Sequence, residues 1–146
     1  LNSLPPPSLS AASRGIKPTV NFINPILILV FHKSKEILVI ATQLRTAVNF
    51  VKKVKVMLKS LPAWLNISAS EATRQEVRFQ NGSRIQAVPT SEDAGRSEAL
   101  SLLIVDEAAW VRNFEDIWTG LYPTLSTGGS AIILSTPNGV GGCEFI

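Results

Sequence analysis

The sequence predicts an α/β fold in which a mainly parallel β-sheet has helices on both faces and carries a β-hairpin insertion. Two observations lead to this prediction. Short apolar runs of strand length alternate along the chain with longer segments of helical periodicity. An Asn-Gly dipeptide lies between two segments of alternating polarity, as in a tight hairpin. A chain of 146 residues buries one core of ordinary size, so we expect one domain or part of one.

The first elements follow from two apolar runs that flank the polar residues 32–36. The second run, residues 37–41, is short and rich in β-branched side chains, which predicts a buried strand. The first run, residues 24–31, is ambiguous between helix and strand and contains Pro25. Upstream, residues 1–12 are rich in Pro and Ser without an apolar period, so we expect an irregular arm there.

A long helix is predicted next, from Thr42, which can cap its first turn, to about Leu61, with Pro62 ending it. Apolar residues at helical spacing give this helix one apolar face: Leu44, Ala47, Val48, Val51, Val54, Leu58 and Leu61. Four lysines lie mostly off that face: Lys52, Lys53, Lys55 and Lys59.

The second half of the chain continues the alternation of strands and helices. The hairpin is centred on Asn81 and Gly82, between segments in which Val77, Phe79, Ile85 and Ala87 alternate with polar residues. After a polar loop over residues 90–99, we expect a buried strand at 100–105, a helix from 114 to about 125 and another buried strand at 130–135. Parallel strands joined by helices would be covered on both faces.

Composition limits the possible classes of protein. One Cys and one His exclude an intrachain disulfide and a cysteine metal cluster and fit a reducing, cytoplasmic setting. The longest uncharged stretch, residues 18–31, is too short to cross a bilayer, so we expect a soluble protein with no membrane partner. The net charge of +3 is uneven: residues 1–89 carry 12 basic and 3 acidic groups, and residues 90–146 carry 2 and 8. The basic half is compatible with a polyanionic partner, although solvated lysines are the commoner cause of such a count.

Two adjacent carboxylates, Asp106 and Glu107, end the predicted strand 100–105. In open α/β sheets ligands bind beyond the carboxyl ends of the strands, and an exposed strand tip tolerates charges that its buried part would not. Four apolar residues followed by Asp-Glu form the Walker B pattern of P-loop nucleoside triphosphatases, in which the Asp supports Mg²⁺ and the Glu activates the attacking water. The other interpretation is a solvated acidic turn in which Asp106 caps a following helix.

A second polar group ends the predicted strand 130–135. Ser135 and Thr136 follow its apolar residues and would emerge at the same edge of the sheet as Asp106 and Glu107. Hydroxyl groups there can contact a γ-phosphate or its attacking water. A simple hydroxyl-bonded turn is the alternative.

In their order and spacing, "LVIATQLRTAVNFVKKVKVMLKSLPAWL", "NGSRIQAVPTS", "SLLIVDEAAWVRNF" and "IILSTPNG" resemble the ATPase domain of the large terminase subunit of tailed bacteriophages. The resemblance implies a P-loop NTPase-like fold over a partial domain, residues 13–146. It also implies that Asp106 is a metal ligand and Glu107 the catalytic glutamate. Leu134, Ser135 and Thr136 lie where the family has its coupling motif, so Ser135 and Thr136 are expected near the nucleotide.

The remaining implied residues lie in two loops. Arg96 lies near a basic residue that the family often keeps close to phosphate, although the order here is Gly95-Arg96 where the family has Arg-Gly. In "SRGIKPTV" the resemblance implies Arg14 as a catalytic residue, Lys17 and Thr19 as nucleotide-binding residues, and Thr19 also as a metal ligand. This Walker A segment departs from the family because Pro18 removes an amide donor beside Lys17 and Gly15 is displaced.

The resemblance implies ATP and Mg²⁺ as cofactors and double-stranded DNA as substrate. It also implies a portal protein and a small terminase subunit as partners, a homo-oligomeric ring, and a location in the host cytoplasm and transiently on the phage procapsid. The chain looks like a fragment that lacks the rest of the sheet and a nuclease domain. The lysines of the helix from Thr42 could face DNA or a neighbouring subunit, or could be solvated. A helicase-type P-loop ATPase and a catalytically dead remnant remain alternative functions.

Overall fold

The computed structural model describes residues 9–11, 20–90, 99–112, 114–125 and 128–135. Within these ranges the chain forms one mixed sheet with strand order β1-β7-β6-β2-β5-β4-β3. The strands are β1 Leu9–Ala11, β2 Glu36–Ala41, β3 Ala69–Ala72, β4 Glu76–Phe79, β5 Arg84–Pro89, β6 Leu102–Asp106 and β7 Ser130–Ile133. The helices are α1 Val20–Phe31, α2 Leu44–Lys59 and α3 Phe114–Leu125, with short 3₁₀ turns at Ala63–Leu65 and Ala108–Trp110.

The first five strands in this spatial order are parallel to one another, and β4 and β3 extend the sheet in antiparallel fashion. β2 and β6 lie in the middle. Ile37 is paired in register with Leu102, and Ala41 with Asp106. The carboxyl ends of β1, β7, β6, β2 and β5 therefore share one edge, called the carboxyl edge below. The predicted mainly parallel α/β sheet with a hairpin insertion is confirmed.

Strand β1 corrects the expectation of an irregular arm over residues 1–12. Leu9 is paired in register with Ala131 and Ala11 with Ile133, so β1 adds a parallel strand beside β7. β1 forms because it pairs with β7, which is distant in sequence. A strand of three residues is too short to show a period-two pattern in the sequence. Residues 1–8 and 12 lie outside the described residues.

Alternate residues of the central strands feed two separate cores. On one face, Ile37, Val39 and Ala41 of β2 pack with the apolar side of α2 and with Leu29 of α1. On the other face, Leu38 and Ile40 pack with α3 and the turn before it. The period-two alternation of a strand produces this division, and it requires consecutive apolar residues over 37–41 of β2 and 102–105 of β6. Helices cover both faces, as predicted.

The ambiguous run around Pro25 is helical, within α1. Pro25 is buried at the sixth position of the helix, where its missing N–H leaves the preceding turn one hydrogen bond short. The end of α1 is held from the hairpin: the Asn81 amide donates to the Leu29 carbonyl at 2.8 Å and to the His32 carbonyl at 3.1 Å.

Among the described residues no helix has both the length and the apolar character needed to span a membrane.

Helix α2 begins at Leu44 with Gln43 as its N-cap, so the predicted capping role of Thr42 is wrong. The predicted apolar face is largely confirmed, and the residues of α2 buried against the sheet are Ala47, Phe50, Val51, Val54 and Leu58.

The hairpin is also confirmed: β4 and β5 are antiparallel, and Gly82 takes φ +80° in the loop that joins them. β3, which is exposed throughout, was not predicted.

Gly129 is required by close packing between α3 and β7. An added Cβ would overlap the Leu100 carbonyl oxygen and lie 3.0 Å from Leu125 Cδ2. We therefore expect Gly129→Ala to lower the free energy of unfolding by about 3 kcal/mol, because backbone must move to admit the methyl group. Urea unfolding followed by circular dichroism measures this loss.

Gly128→Ala is the matched control for Gly129→Ala. Gly128 has φ +97° with no atom within 4 Å of an added Cβ, so only backbone strain of about 1 kcal/mol is expected. Equal losses for the two variants would contradict the packing argument.

Candidate active site

Asp106 is the last residue of β6 and lies at the carboxyl edge of the sheet. The four residues before it are buried, whereas Asp106 itself is half-buried. Its register partner on β2 is Ala41, whose small side chain leaves room beside the carboxylate. The dry strand thus ends at a carboxylate that water or a cation can still reach, as the sequence predicted.

Glu107 leaves the strand in a left-handed conformation, with φ 57° and ψ 43°. For a non-glycine residue this conformation costs roughly 1–2 kcal/mol, so the surrounding contacts must impose it. The Glu107 carbonyl accepts the Trp110 N–H at 2.9 Å, which closes the 3₁₀ turn that follows. The side chain is exposed, and Thr42 Oγ1 donates to Glu107 Oε2 at 3.4 Å.

Thr42 is a site residue that sequence analysis assigned to another role. It lies directly after β2, at the same edge as Asp106, and its hydroxyl contacts the Glu107 carboxylate instead of capping α2. Its position just past a buried parallel strand was the available signal, since such positions face the ligand crevice. The competing preference of Thr for helix N-caps pointed elsewhere.

Ser135 is bound to the turn that carries the two carboxylates. The Ala109 N–H donates to Ser135 Oγ at 2.9 Å. One residue earlier, the Leu134 carbonyl accepts the Ala108 N–H at 2.9 Å, and the Leu134 N–H donates to the Val105 carbonyl at 2.8 Å. The exit of β7 and the exit of β6 are therefore joined by three hydrogen bonds, so a shift of one would displace the other.

Burial raises the pKa of the Asp106 carboxyl, and the neighbouring negative charge of Glu107 raises it further. A hydrogen bond from the Glu107 N–H and the positive charge of Lys53 act in the opposite direction and are outweighed. Within the described part of the chain neither Asp106 nor Glu107 makes an ion pair. A cation at this edge would relieve the electrostatic cost.

Asp106 is the kind of ligand that Mg²⁺ accepts in proteins. No three His, Cys, Asp or Glu residues come together as a metal site among the residues that the structure describes. Mg²⁺ usually keeps several waters and takes one or two carboxylates plus phosphate oxygens. Asp106 supplies a carboxylate of this kind, and a bound cation would offset the burial and the Glu107 charge that raise its pKa.

The other predicted site residues lie outside the described residues: Arg14, Lys17, Thr19, Arg96 and Thr136. The described elements that flank residues 12–19 do point to this edge. β1 is parallel to β7 and ends at Ala11, just before residues 12–19 in the sequence. α1 begins at Val20, just after them. β7, which Ser135 follows, lies between β1 and β6 in the sheet. The end of β1 and Asp106 at the end of β6 are therefore two strand spacings apart, which is about 10 Å.

A cavity of about 670 Å³ lies at the opposite edge of the sheet, lined by the end of α1, the turn at 63–65 and the hairpin loop. Exposed Phe31 and Trp64 form part of its lining. Asp106 and Glu107 do not contribute to it. This cavity is therefore separate from the chemistry at the carboxyl edge.

The chain resembles solved structures of phage packaging ATPases over most of its length. The large terminase ATPase domain of Thermus phage P74-26 matches 91% of this chain with TM-score 0.64 and 22% identity. The large terminase of a thermophilic bacteriophage, solved in complex with ADP, matches 88% with TM-score 0.65 and 12% identity. The N-terminal domain of the bacteriophage phi29 DNA packaging ATPase matches 94% with TM-score 0.57 and 18% identity.

The fold is that of a phage large terminase ATPase domain. This chain spans 60% of the P74-26 domain, 33% of the ADP-bound terminase chain and 76% of the phi29 domain. No family model matches the sequence. The terminase-like fold predicted from the sequence is therefore confirmed by shape at identities of 22% and below.

We predict that Asp106→Asn stabilises the protein at neutral pH. Because the folded-state pKa of Asp106 is raised above the unfolded value of about 3.9, the ionised form costs the folded state free energy. That cost is absent below the unfolded pKa and appears as pH rises through the folded pKa. The unfolding midpoint of Asp106→Asn should therefore exceed that of the unsubstituted protein at pH 7.5, and the gap should close towards pH 4.

Thermal unfolding at several pH values without divalent cations measures this effect, and Asp116→Asn, on the exposed side of α3, is the control. A lower midpoint for Asp106→Asn at pH 7.5, or a gap that widens in acid, would contradict the electrostatic argument.

Proposed function

We propose that this chain is the partial ATP-hydrolysing motor domain of a phage terminase large subunit, which couples Mg-ATP hydrolysis to the packaging of double-stranded DNA into the capsid. The observation that carries the proposal is the arrangement of Asp106, Glu107 and Ser135 at one edge of a terminase-like sheet. One of the similar terminases was solved in complex with ADP, which supports a nucleotide as the ligand of this chain.

In this proposal Asp106 holds the metal ion and Glu107 polarises the attacking water. Bound Mg²⁺ would supply charge neutralisation for the phosphates at this edge. Glu107 suits the role of a base because its carboxylate is exposed beyond the strand and is held by the Thr42 hydroxyl. Ser135, bonded to the turn after Glu107, would carry a change at the nucleotide into β7.

The proposal extends to residues outside the described ranges. Lys17 and Thr19 would bind the phosphates, Thr19 would also bind the metal, and Arg14 would act in catalysis. Arg96 and Thr136 would complete the nucleotide site. The path from the end of β1 to the start of α1 supports the first three, because a strand-to-helix connection is where amide groups bind phosphate.

The proposed partners are double-stranded DNA, the portal protein and the small terminase subunit, with the motor acting as a homo-oligomeric ring. The proposed location is the host cytoplasm and, transiently, the phage procapsid. Residues 13–146 form the partial ATPase domain in this proposal, and β1 extends it into the preceding segment.

A catalytically dead remnant is the second candidate, and one observation favours it. Pro18 beside Lys17 removes an amide donor from the segment that would bind phosphate. Such a chain would keep the sheet and the Asp106-Glu107 edge without holding a nucleotide.

We predict that Glu107→Gln lowers ATP hydrolysis by about 10²- to 10⁴-fold and leaves Mg-ATP affinity within a few-fold, because the amide keeps its shape but cannot accept a proton. Equilibrium binding of a fluorescent ATP analogue and phosphate release measure the two quantities. Glu115→Gln, which removes an exposed carboxylate on α3, is the charge-matched control.

The outcomes separate the two candidates. Saturable Mg-ATP binding that Asp106→Ala abolishes supports the motor. A folded sample with no Mg-ATP binding refutes it and favours the remnant.

We predict that Thr42→Val lowers the turnover number by about fivefold with little change in KM, since loss of a long, exposed hydrogen bond to Glu107 is worth about 1 kcal/mol. Thr42→Ser keeps the hydroxyl and should restore most of the rate. A rate unchanged in Thr42→Val would show that Thr42 does not position the glutamate.

A further inference from the structure

Helix α2 has a charge composition that its packing does not require. Its 16 residues include five cationic side chains and no acidic one: Arg45, Lys52, Lys53, Lys55 and Lys59. On a solvated helix, lysines are commonly accompanied by Asp or Glu three or four residues away, which reduces their repulsion. α2 carries no such compensation of its own.

Three of these cations form a line along the exposed side of the helix, called the α2 row below: Arg45, Lys52 and Lys59. Each is seven residues from the next, which is two helical turns and about 10.5 Å, with only about 20° of rotation. The α2 row is therefore about 21 Å long. Exposed Asn49 and Val56 occupy the positions between its members.

Among the described residues no ion pair neutralises the α2 row. The ion pairs of the described residues join Arg78 and Arg84 to acids of β2, β3 and β4, and Arg45, Lys52 and Lys59 take part in none of them. The three side chains are exposed, so their charges are accessible to a ligand in solvent.

The two other lysines of α2 have different surroundings. The Lys55 ammonium donates to the Thr73 carbonyl in the turn between β3 and β4. Partial burial lowers the Lys55 pKa, and the positive charge of Lys59 lowers it further. The charge of Lys53 acts on the Asp106 carboxyl. Neither is counted in the α2 row.

The chemistry of the α2 row selects a polyanion rather than a protein or a lipid surface. The apolar side of α2 is buried against the sheet, so the helix has no apolar face left to insert into a membrane. Val56 is the large apolar side chain exposed between the cations, which is too little for the apolar core of a protein interface. A DNA duplex offers a phosphate about every 3.4 Å along each strand, so the α2 row spans about six base pairs.

We propose that the α2 row binds the phosphate backbone of double-stranded DNA. This inference rests on the proposed function, since DNA is the substrate of that motor, but it assigns the contact to one face of one helix. Contacts of this kind give affinity without base recognition.

The test uses the full chain, a short labelled DNA duplex and no nucleotide. Fluorescence anisotropy gives the association constant between about 50 and 200 mM salt. The triple variant Arg45→Gln, Lys52→Gln, Lys59→Gln should reduce the slope of log K against log salt by about 2.7, at about 0.9 per phosphate contact. Equivalently, the unsubstituted chain should lose about 40-fold more affinity than the variant over that range.

A second triple variant, Lys33→Gln, Lys35→Gln, Arg112→Gln, changes the net charge equally at sites away from α2 and should alter the slope by less than about 1. Equal slopes for the two triple variants, or no binding of DNA by the folded chain, would overturn the proposal. Binding to phosphatidylserine vesicles that depends on the α2 row, without DNA binding, would also overturn it. A chain that binds DNA through the α2 row but holds no Mg-ATP would refute the motor function and keep this inference.

Discussion

The structure depends on one constraint: β6 is buried on both faces of the sheet up to Val105, the residue before Asp106. Leu103 and Val105 face the core under α3, and Leu102 and Ile104 face the core under α2. Parallel pairing with β2 and β7 satisfies the backbone of β6 on both sides. Because nothing polar interrupts the strand, its charged end is forced to the carboxyl edge. The position of the candidate site is therefore a consequence of core packing.

The second consequence concerns β7, which is joined to the same turn. Its last residues continue the ladder beyond the strand, and Ser135 uses its hydroxyl to accept an N–H from the 3₁₀ turn after Glu107. A movement of the turn at Glu107 would thus reach β7 through these hydrogen bonds. Thr42 adds a contact to Glu107 from the β2 side. The β2 side thus contacts the Glu107 carboxylate itself, and β7 holds the backbone of the turn that follows it.

Much of this could be predicted from the sequence because the decisive signals are local. Apolar runs, helical periodicity and the Asn81-Gly82 dipeptide specify β2, α2, β6, α3 and the hairpin. What could not be predicted depends on distant partners: β1 exists through its pairing with β7, and the left-handed conformation of Glu107 is imposed by the turn that follows. Thr42 was misassigned because a hydroxyl beside a helix start has two possible partners and the sequence shows only the nearer one.

The turn at the carboxyl edge has two features that lower the stability of the folded state and that a purely structural turn would not need. Asp106 has a raised pKa beside a second carboxylate, and Glu107 adopts a left-handed backbone conformation that is unfavourable for most residues other than Gly and Asn. Asn or Gly at these positions would relieve both costs and leave the two cores unchanged. Strain and like charge that persist next to a well-packed strand are typical of functional sites, where stability is lost in return for reactivity. The turn at Asp106 and Glu107 therefore argues for chemistry at this edge on physical grounds, independently of the similarity in fold.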